Sequence, residues 1–436
     1  MADRLGCAGA PLSLYPYQQA GADFLASGVA KGLMLADEPG LGKTRQAIVA
    51  ALRAGVGSPG IVVVVCPASA IGVWRREIVE TRADQVALWR VGSYNKPPTV
   101  KDKIDVLIVD EAHYAKNREA SRTKALYGFK GDGVGGLVER ADRVILLTGT
   151  PTPNNPSEIW THARACFPEA IMQTFEGGVR KPMAFWPFVK KFCTVEWDYL
   201  GRQKITGGKN LAELRERLAP YVLRRLKKDV LADLPPVRFN LLPVEGLAPA
   251  DSGEADMIRR ALLKGPKGLK EIAPHVASLR RVTGLAKVGG VCNWALDWFA
   301  GGGGKIVIFA HHKDVIGLLK KTFSSSGIPS VVVDGAVPPE KRALCANVFQ
   351  MEPDCKVFIG QNDAAGTAIT LTAADTLLSL EPAWTPGVND QIWQRIHRIG
   401  QANACQIYYP TIAGSIDEDV TRALIPKQGA IDALWN

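Results

Sequence analysis

A chain of 436 residues is too long for one ordinary domain, and its 47% hydrophobic content supplies two or three cores while excluding a disordered chain. Lys and Arg total 53 against 43 Asp and Glu, a formal charge of +10 that suits a polyanionic partner, nucleic acid or an anionic membrane surface, without choosing between them. The longest apolar run, Ile61 to Val65, is far short of the ~20 residues that cross a bilayer, and the N-terminal MADRLGCAGAPLS lacks the apolar core of a signal peptide.

The first β-branched run is GLMLAD (32–37). It leads into ADEPGLGKT (36–44) and a helical stretch, TRQAIVAALRAG. Strand, glycine-rich loop and helix make the context that a phosphate cradle requires. Gly40 and Gly42 would let backbone N–H groups approach phosphate oxygens, Lys43 would neutralise the β- and γ-phosphates, and the Thr44 hydroxyl would ligate magnesium. The generic G-x-x-x-x-G-K-T pattern is broken, with Asp37 where its first glycine belongs; the competing reading is a turn with an exposed lysine. GIVVVVCP (60–67) and DVLIVDEAH (105–113) follow. Two adjacent acids at a strand's C-terminal end sit where open α/β sheets place their sites. Asp110 would hold magnesium through water, Glu111 would orient and deprotonate an attacking water, and His113 would couple this edge to a second lobe. A solvated acidic turn is the bland alternative. DRVILLTGTP (142–151) ends the first set of strands.

From Pro153 to Leu231 the composition turns aromatic and basic, and NLAELRERLAPYVLRRLKKDVL reads as one strong helix in a mostly helical insertion. Within it, FWPFVKKF (185–192) and VEWDYLGRQK (195–204) either line a nucleic-acid path or form the core of a small subdomain. LPPVRFNLLPVEGLAPADSGEAD (234–256) reads as a connection. A helical stretch from about Met257 to Phe299 ends in a flexible glycine run, Gly301 to Gly304. KIVIFAHH (305–312), SVVVDG (330–335), KVFIGQ (356–361), TLLSLEP (376–382) and QIYYPTI (406–412) form a second set of strands. All these runs are nearly continuous in apolar residues, as parallel strands buried on both faces are. QIWQRIHRIGQ (391–401) puts Arg395 and Arg398 on one face of a helix, where they would complete a nucleotide site as arginine fingers; the alternative is a basic helix face that meets DNA phosphates or water. The eight cysteines form no C-x-x-C pair or zinc pattern and read as free thiols of a reducing compartment.

These pieces in this order resemble the Swi/Snf-type ATPases of helicase superfamily two over nearly the whole chain. LYPYQ (14–18) resembles that family's adenine-recognition motif, with Gln18 reading the adenine edge. DEPGLGKT matches the family's DE-x-GLGKT, which accounts for Asp37 and Glu38 in the nucleotide site. VVCPASAIGVWRREI (64–78) resembles the motif whose Pro67 and Ser69 meet the DNA backbone, with Trp74 and Glu77 as its helical tail. LTGTPTPNN (147–155) resembles the coupling motif, so Thr148, Gly149 and Thr150 would relay the state of the site to DNA. RIHRIGQ (395–401) is the family's most specific signature here. YVLRRLKKDVLADLPP, TGLAKV, VIFAHHKDV, TLTAAD and EPAWTPGVNDQ resemble the annealing-helicase, or fork-remodelling, branch. The chain departs from the family at Tyr15, at Ala368 in the motif that begins at Gly366, and at Gln394.

The resemblance implies an α/β protein of two RecA-like doubly wound parallel-sheet lobes with small helical insertions. Residues 1–152 would form the ATP-binding lobe, 153–233 the insertion, 234–304 the connection and helical region, and 305–436 the lobe with the arginine fingers. It implies ATP and Mg²⁺ as cofactors and duplex or forked DNA as partner, with no membrane and a monomeric protein. Gly366 and Gln391 would join the nucleotide site; Trp384 would pack or touch DNA. The branch's accessory fork-recognition domain is not expected before Leu12 or after the last strand. The compact style points to a DNA-associated protein of a prokaryotic or virus-infected cytoplasm, nuclear if eukaryotic. The implied activity is translocation on double-stranded or branched DNA that remodels or anneals it. A strand-separating DNA or RNA helicase, and a nucleic-acid-binding scaffold with a vestigial ATP site, are the alternatives.

Overall fold

The computed structural model describes residues 14–54, 60–129, 136–197, 203–231, 233–245, 273–362, 369–383 and 386–412. The chain divides into two compact units, one running to Val230 and the other beginning at Leu231. Each is built on one parallel sheet.

In the first unit the strands are β1 (Gly32–Leu35), β2 (Gly60–Cys66), β3 (Ala87–Ser93), β4 (Ile104–Asp110), β5 (Ala141–Leu147) and β10 (Val222–Leu223), in the order β10-β1-β5-β4-β2-β3. All their pairings are parallel. The central strands are sealed on both faces: Val62 to Cys66 and Leu107 to Val109 are all fully buried. Each such side chain contributes on the order of 1.5–3 kcal/mol by leaving water, so β2 and β4 anchor everything at their C-terminal ends. The helices α1 (Pro16–Ala26), α2 (Lys43–Arg53) and α3 (Ile71–Glu80) pack on this sheet or beside it.

The second unit holds β11 (Val237–Pro243), β12 (Lys305–Ala310), β13 (Ser330–Val333), β14 (Val357–Gln361), β15 (Ala374–Ser379) and β16 (Cys405–Thr411), in the order β11-β16-β15-β12-β14-β13. Its side chains alternate between two cores. Val307 and Phe309 of β12 join Phe358 and Leu377 in one, while Ile306 and Ile308 join Ile359 and Leu378 in the other. That is the physical content of a run apolar at every position: both faces of the sheet are covered.

All nine apolar runs are strands. The structure corrects the reading elsewhere. The insertion is mixed rather than mostly helical. It carries two antiparallel hairpins, β6 (Met172–Thr174) with β7 (Arg180–Pro182) and β8 (Cys193–Trp197) with β9 (Gln203–Gly208). The expected long helix stops at Leu218. Pro220 offers no N–H to continue it, and the outer edge of β1 needs partners: Met34 N donates to Tyr221 O and Ala36 N to Leu223 O, drawing Val222–Leu223 in as β10. The expected connection contains β11, an edge strand whose Phe239 and Leu241 remain more than half exposed. The glycine run after the helix Ala273–Ala300 is a held turn, with Gly303 N donating to Trp298 O and Trp298 Nε1 to Gly304 O at 2.9 Å. β3 went unread because an edge strand with Trp89 and Arg90 is covered on fewer sides and its sequence is mixed.

One buried group makes the first unit acid-sensitive. His162, on the helix Ile159–Cys166, is fully buried, with Nδ1 2.8 Å from the Tyr127 hydroxyl. Burial pushes its pKa down to about 3. Above the ordinary value near 6.5 the ring is neutral whether the protein is folded or unfolded, and it contributes nothing to pH dependence. As pH falls from there toward 3, only the unfolded chain takes the proton, and stability is lost by up to about 1.4 kcal/mol per pH unit. His162→Gln, which keeps an acceptor for Tyr127, should flatten the fall of the thermal midpoint between pH 6 and 4. Equal slopes for the two proteins would show that His162 is not the sensitive group.

Candidate functional site

The loop between β1 and α2 lies at the C-terminal end of the sheet. Gly40 and Gly42 both have positive φ, 94° and 73°. Gly42 is the N-cap of α2 in the left-handed conformation, which favours glycine, and the Gln18 side-chain amide packs close against it. The loop is pinned through one carbonyl: Leu41 O accepts from Tyr17 Oη at 3.3 Å, Gln18 Nε2 at 3.2 Å and Gln46 Nε2 at 3.0 Å. The Gln18 amide oxygen accepts from Tyr15 N, so Gln18 ties α1 to the glycine loop. Thr44 opens the first turn of α2.

Asp37 and Glu38 face the chain rather than the mouth of the loop. Asp37 is fully buried, and Arg225 binds it with two prongs, Nε to Oδ1 at 3.0 Å and Nη2 to Oδ2 at 2.5 Å. Arg225 also reaches Gln46 Oε1 and the Tyr17 carbonyl, so one guanidinium holds α1, α2 and the loop together. Glu38 Oε2 accepts from Lys227 N. Arg224 donates to the carbonyls of Ala36 and Gly149. Sequence reasoning placed Arg224 and Arg225 in a helix and missed them. The available signal was a buried acid beside the loop that needs a basic partner from elsewhere. Breaking a buried pair leaves a bare charge, so Arg225→Ala should cost about 3 kcal/mol or more of stability in chemical denaturation. A cost near zero would mean that water replaces the guanidinium.

Lys43 Nζ donates to the carbonyls of Asp37 at 2.7 Å and Glu38 at 3.3 Å. Burial pulls its pKa below the usual lysine range, while Glu111, Asp37 and Asp110 pull it back up. The ammonium thus sits in the field of the carboxylate pair at the end of β4. Asp110 Oδ2 accepts from Trp74 Nε1 at 2.8 Å and Oδ1 from Glu111 N at 2.9 Å. Burial and the adjoining Glu111 charge push the Asp110 pKa up to about 6, against the Trp74 bond and the Lys43 charge. Glu111 has a left-handed backbone, φ 50°, which turns the chain sharply at the sheet edge. Tyr94 Oη donates to the carbonyls of Asp110 at 2.7 Å and Glu111 at 3.1 Å and fixes that turn. Trp74 and Tyr94 were not read as site residues. Two adjacent, partly buried acids beside a cradle for anions suit a divalent cation, whose charge would relieve their repulsion. Among the described residues no group of three or more His, Cys, Asp or Glu is placed to hold a metal. A cation here would share its ligands with phosphate and water, as magnesium does.

From the acids the contacts run to the end of β5. His113 Nδ1 lies 3.3 Å from Glu111 Oε2 and 3.1 Å from Thr148 Oγ1, and Thr150 N donates to Thr148 Oγ1 at 3.1 Å. Gly149 packs on Pro39 of the glycine loop, where a Cβ would meet the ring at 2.6 Å. Pro67 and Ser69 follow β2 in a short 3₁₀ turn, Ala68–Ala70, before α3. The first unit therefore gathers the expected loop, acid pair and relay into one connected edge.

In the second unit the helix Pro386–Trp393 ends before both arginines, which corrects their expected place on one helical face. The carbonyls that would continue the helix are captured elsewhere: Arg395 O accepts from Leu371 N, and Ile396 O from Gln401 Nε2. Gln401 Nε2 also reaches the carbonyls of Thr372 and Ala374, so RIHRIGQ folds as a compact knot against residues 369–374. Arg395 is 8% exposed, with Nε on Gln391 O at 2.8 Å. Arg398 is half-buried, donating to Ile369 O at 3.2 Å, and burial pulls its pKa below the usual arginine range. Gly366, Ala368 and Trp384 lie outside the described residues. No helix among the described residues is long and apolar enough to cross a membrane, and the described cysteines are all free.

The SNF2-related domain matches residues 17–87 and 91–245, and the helicase conserved C-terminal domain matches residues 291–403. The chain is 30% identical over 439 residues to the DNA annealing helicase and endonuclease ZRANB3 of Mus musculus, a match covering 93% of this chain and 39% of that protein. It is 29% identical over 434 residues to the SWI/SNF-related matrix-associated actin-dependent regulator of chromatin subfamily A-like protein 1 of Xenopus tropicalis, covering 93% and 43%. It thus spans about two fifths of the length of these relatives. A solved structure, the Sulfolobus solfataricus SWI2/SNF2 ATPase core in complex with dsDNA, is 21% identical and has a TM-score of 0.40, covering 96% of this chain and 92% of that one.

Proposed function

Because this chain belongs to the SNF2-related family, whose domain spans just over half of it, we propose that it is an ATP-dependent translocase on double-stranded or branched DNA. The observation that carries this reading is the joining of the positive-φ glycine loop, Lys43 and the Asp110–Glu111 pair at one sheet edge. In the proposal Gln18, Gly40, Gly42, Lys43 and Thr44 bind the nucleotide. Thr44 and Asp110 hold Mg²⁺, which when bound screens the phosphate charge. Glu111, at the left-handed turn that follows β4, accepts a proton from the attacking water. Asp37 and Glu38 act as positioning residues that brace the loop through Arg225 and the Lys227 amide. The first unit is the ATP-binding lobe; Gln391, Arg395 and Arg398 of the second complete the site. Pro67, Ser69, His113, Thr148 and Thr150 link hydrolysis to DNA. Relatives named as DNA annealing helicases support strand annealing as the outcome.

The test is ATP turnover with no nucleic acid, blunt duplex, a model fork, single-stranded DNA and RNA, side by side. Stimulation by duplex or fork is the expected result, and it should fall steeply with salt as phosphate contacts release counterions. Stimulation by single strands or RNA alone would replace this reading with a strand-separating helicase, and no turnover with any of them with a scaffold. Glu111→Gln should bind ATP as the parent does, measured by equilibrium binding, but lose turnover; loss of binding would count against its role as base.

A further inference from the structure

The helix Phe185–Phe192 divides its apolar residues between two tasks. Phe188, Val189 and Phe192 are fully buried core. Phe185 and Trp186 at its start are not: Trp186 is 43% exposed, and both line a half-enclosed cleft of about 160 Å³ in the first unit. Phe129, Trp160, Arg118 and Arg164 contribute the other walls. The rings pack as one cluster: Phe129 stacks on Trp160 at 5.8 Å, Trp160 meets Phe185 edge-on at 5.4 Å, and Phe185 meets Trp186 edge-on at 5.4 Å. The Arg118 guanidinium carbon already lies over the Phe185 ring, 4.7 Å from its centroid. Its ion pair is with the adjacent, exposed Glu119 and binds it weakly.

We propose that this cleft takes one unpaired nucleobase of a DNA strand, the base stacking on the exposed Trp186 ring and the flanking phosphates meeting Arg118 and Arg164. The volume is below the roughly 300 Å³ of a site for a drug-sized ligand, so it accepts a single planar ring system. Aromatic faces beside arginines are the chemistry by which proteins hold single strands without reading sequence. The cleft also touches the ATP site through the chain. Arg118 stands on the segment that continues from Glu111, and Thr161 Oγ1, on the helix that carries Trp160 and Arg164, donates to Lys116 O at 2.7 Å in that segment. A base in the cleft is therefore sensed next to the acid pair, and a branched DNA with an unpaired arm is distinguished from a plain duplex.

The inference rests on the DNA reading above, and its test separates the two. A fork carrying 2-aminopurine in an unpaired arm, and a blunt duplex of the same sequence, are titrated with the full chain and with Trp186→Ala, Arg118→Ala and Trp197→Ala. Trp197 is 67% exposed and lies outside the cleft lining. The expected result is quenching of the arm base by the parent and by Trp197→Ala. Arm affinity should be weaker by roughly 10-fold or more in Trp186→Ala and Arg118→Ala, on the scale of one lost base stack. Blunt-duplex-stimulated ATP turnover should be unchanged in all four. Equal arm affinity in Trp186→Ala, or equal weakening in Trp197→Ala, would overturn the cleft assignment. If neither DNA stimulates turnover the translocase reading fails, and the quenching result still decides the cleft.

Discussion

Lys43→Ala should lower DNA-stimulated ATP turnover by at least on the order of 10³-fold, the scale on which removing one charge clamp from a phosphoryl-transfer site acts. The Lys43 ammonium rests at the turn of the glycine loop. Its two hydrogen bonds go to neutral carbonyls, Asp37 O and Glu38 O, at the turn of the loop. Burial works against its charge, and the acids Glu111, Asp37 and Asp110 sustain it. Such a cation is held ready for an anion that enters between it and those acids. Alanine would remove the one basic side chain of the loop, residues 36–44. The fold should survive, because the loop is held by Arg225, by the three donors on Leu41 O and by the positive-φ glycines, none of which involves Lys43. The measurement pairs turnover at saturating duplex with the thermal midpoint. Near-normal turnover would show that the loop is not the phosphate site. A collapsed midpoint would show Lys43 to be structural.

What the sequence made legible follows from burial. Strands sealed on both faces are apolar at every position, and all nine such runs are strands. Strands exposed along one side were lost: β3 with Trp89 and Arg90, β11 with Phe239 and Leu241 in solvent, and β10 hidden in what read as a helix. The same divide runs through the site. Gly40, Gly42, Lys43, Asp110 and Glu111 are contiguous in short segments with fixed chemical meaning, and two segments sufficed to name them. Arg225, Trp74 and Tyr94 touch those residues only after the chain has folded. The Asp37–Arg225 pair joins the first strand's loop to the segment that follows the last strand of the same sheet, and no local pattern announces a partner so distant. The arginine segment failed for a related reason. Its spacing is helical, but Leu371 and Gln401 take the carbonyls that a helix would need. Tertiary hydrogen bonds overrode a local preference that was read correctly as a preference.

That correction sharpens the remaining expectation, that Arg398→Ala costs on the order of 10³-fold or more in turnover. On a helical face Arg395 and Arg398 would be equivalent. In the knot they are not. Arg395 is 8% exposed, its carbonyl bound by Leu371 and its Nε by Gln391 O, so its removal should disturb the knot and the protein's stability together. Arg398 is half-buried, and among the described residues its guanidinium donates to Ile369 O at 3.2 Å, a neutral acceptor that a phosphate oxygen can outcompete. Burial already strains its charge, and an anion would relieve that strain. Arg398→Ala should therefore keep ATP affinity, which the first unit supplies, and lose turnover at saturating ATP and DNA. Arg398→Lys should restore little, because an ammonium cannot present the paired donors of a guanidinium to a phosphoryl group. A loss under about tenfold, with weakened DNA binding at unchanged turnover, would instead make Arg398 a contact to the DNA backbone. Rescue by lysine would point the same way, since a point charge serves a backbone phosphate but not a transition state that needs two aligned donors.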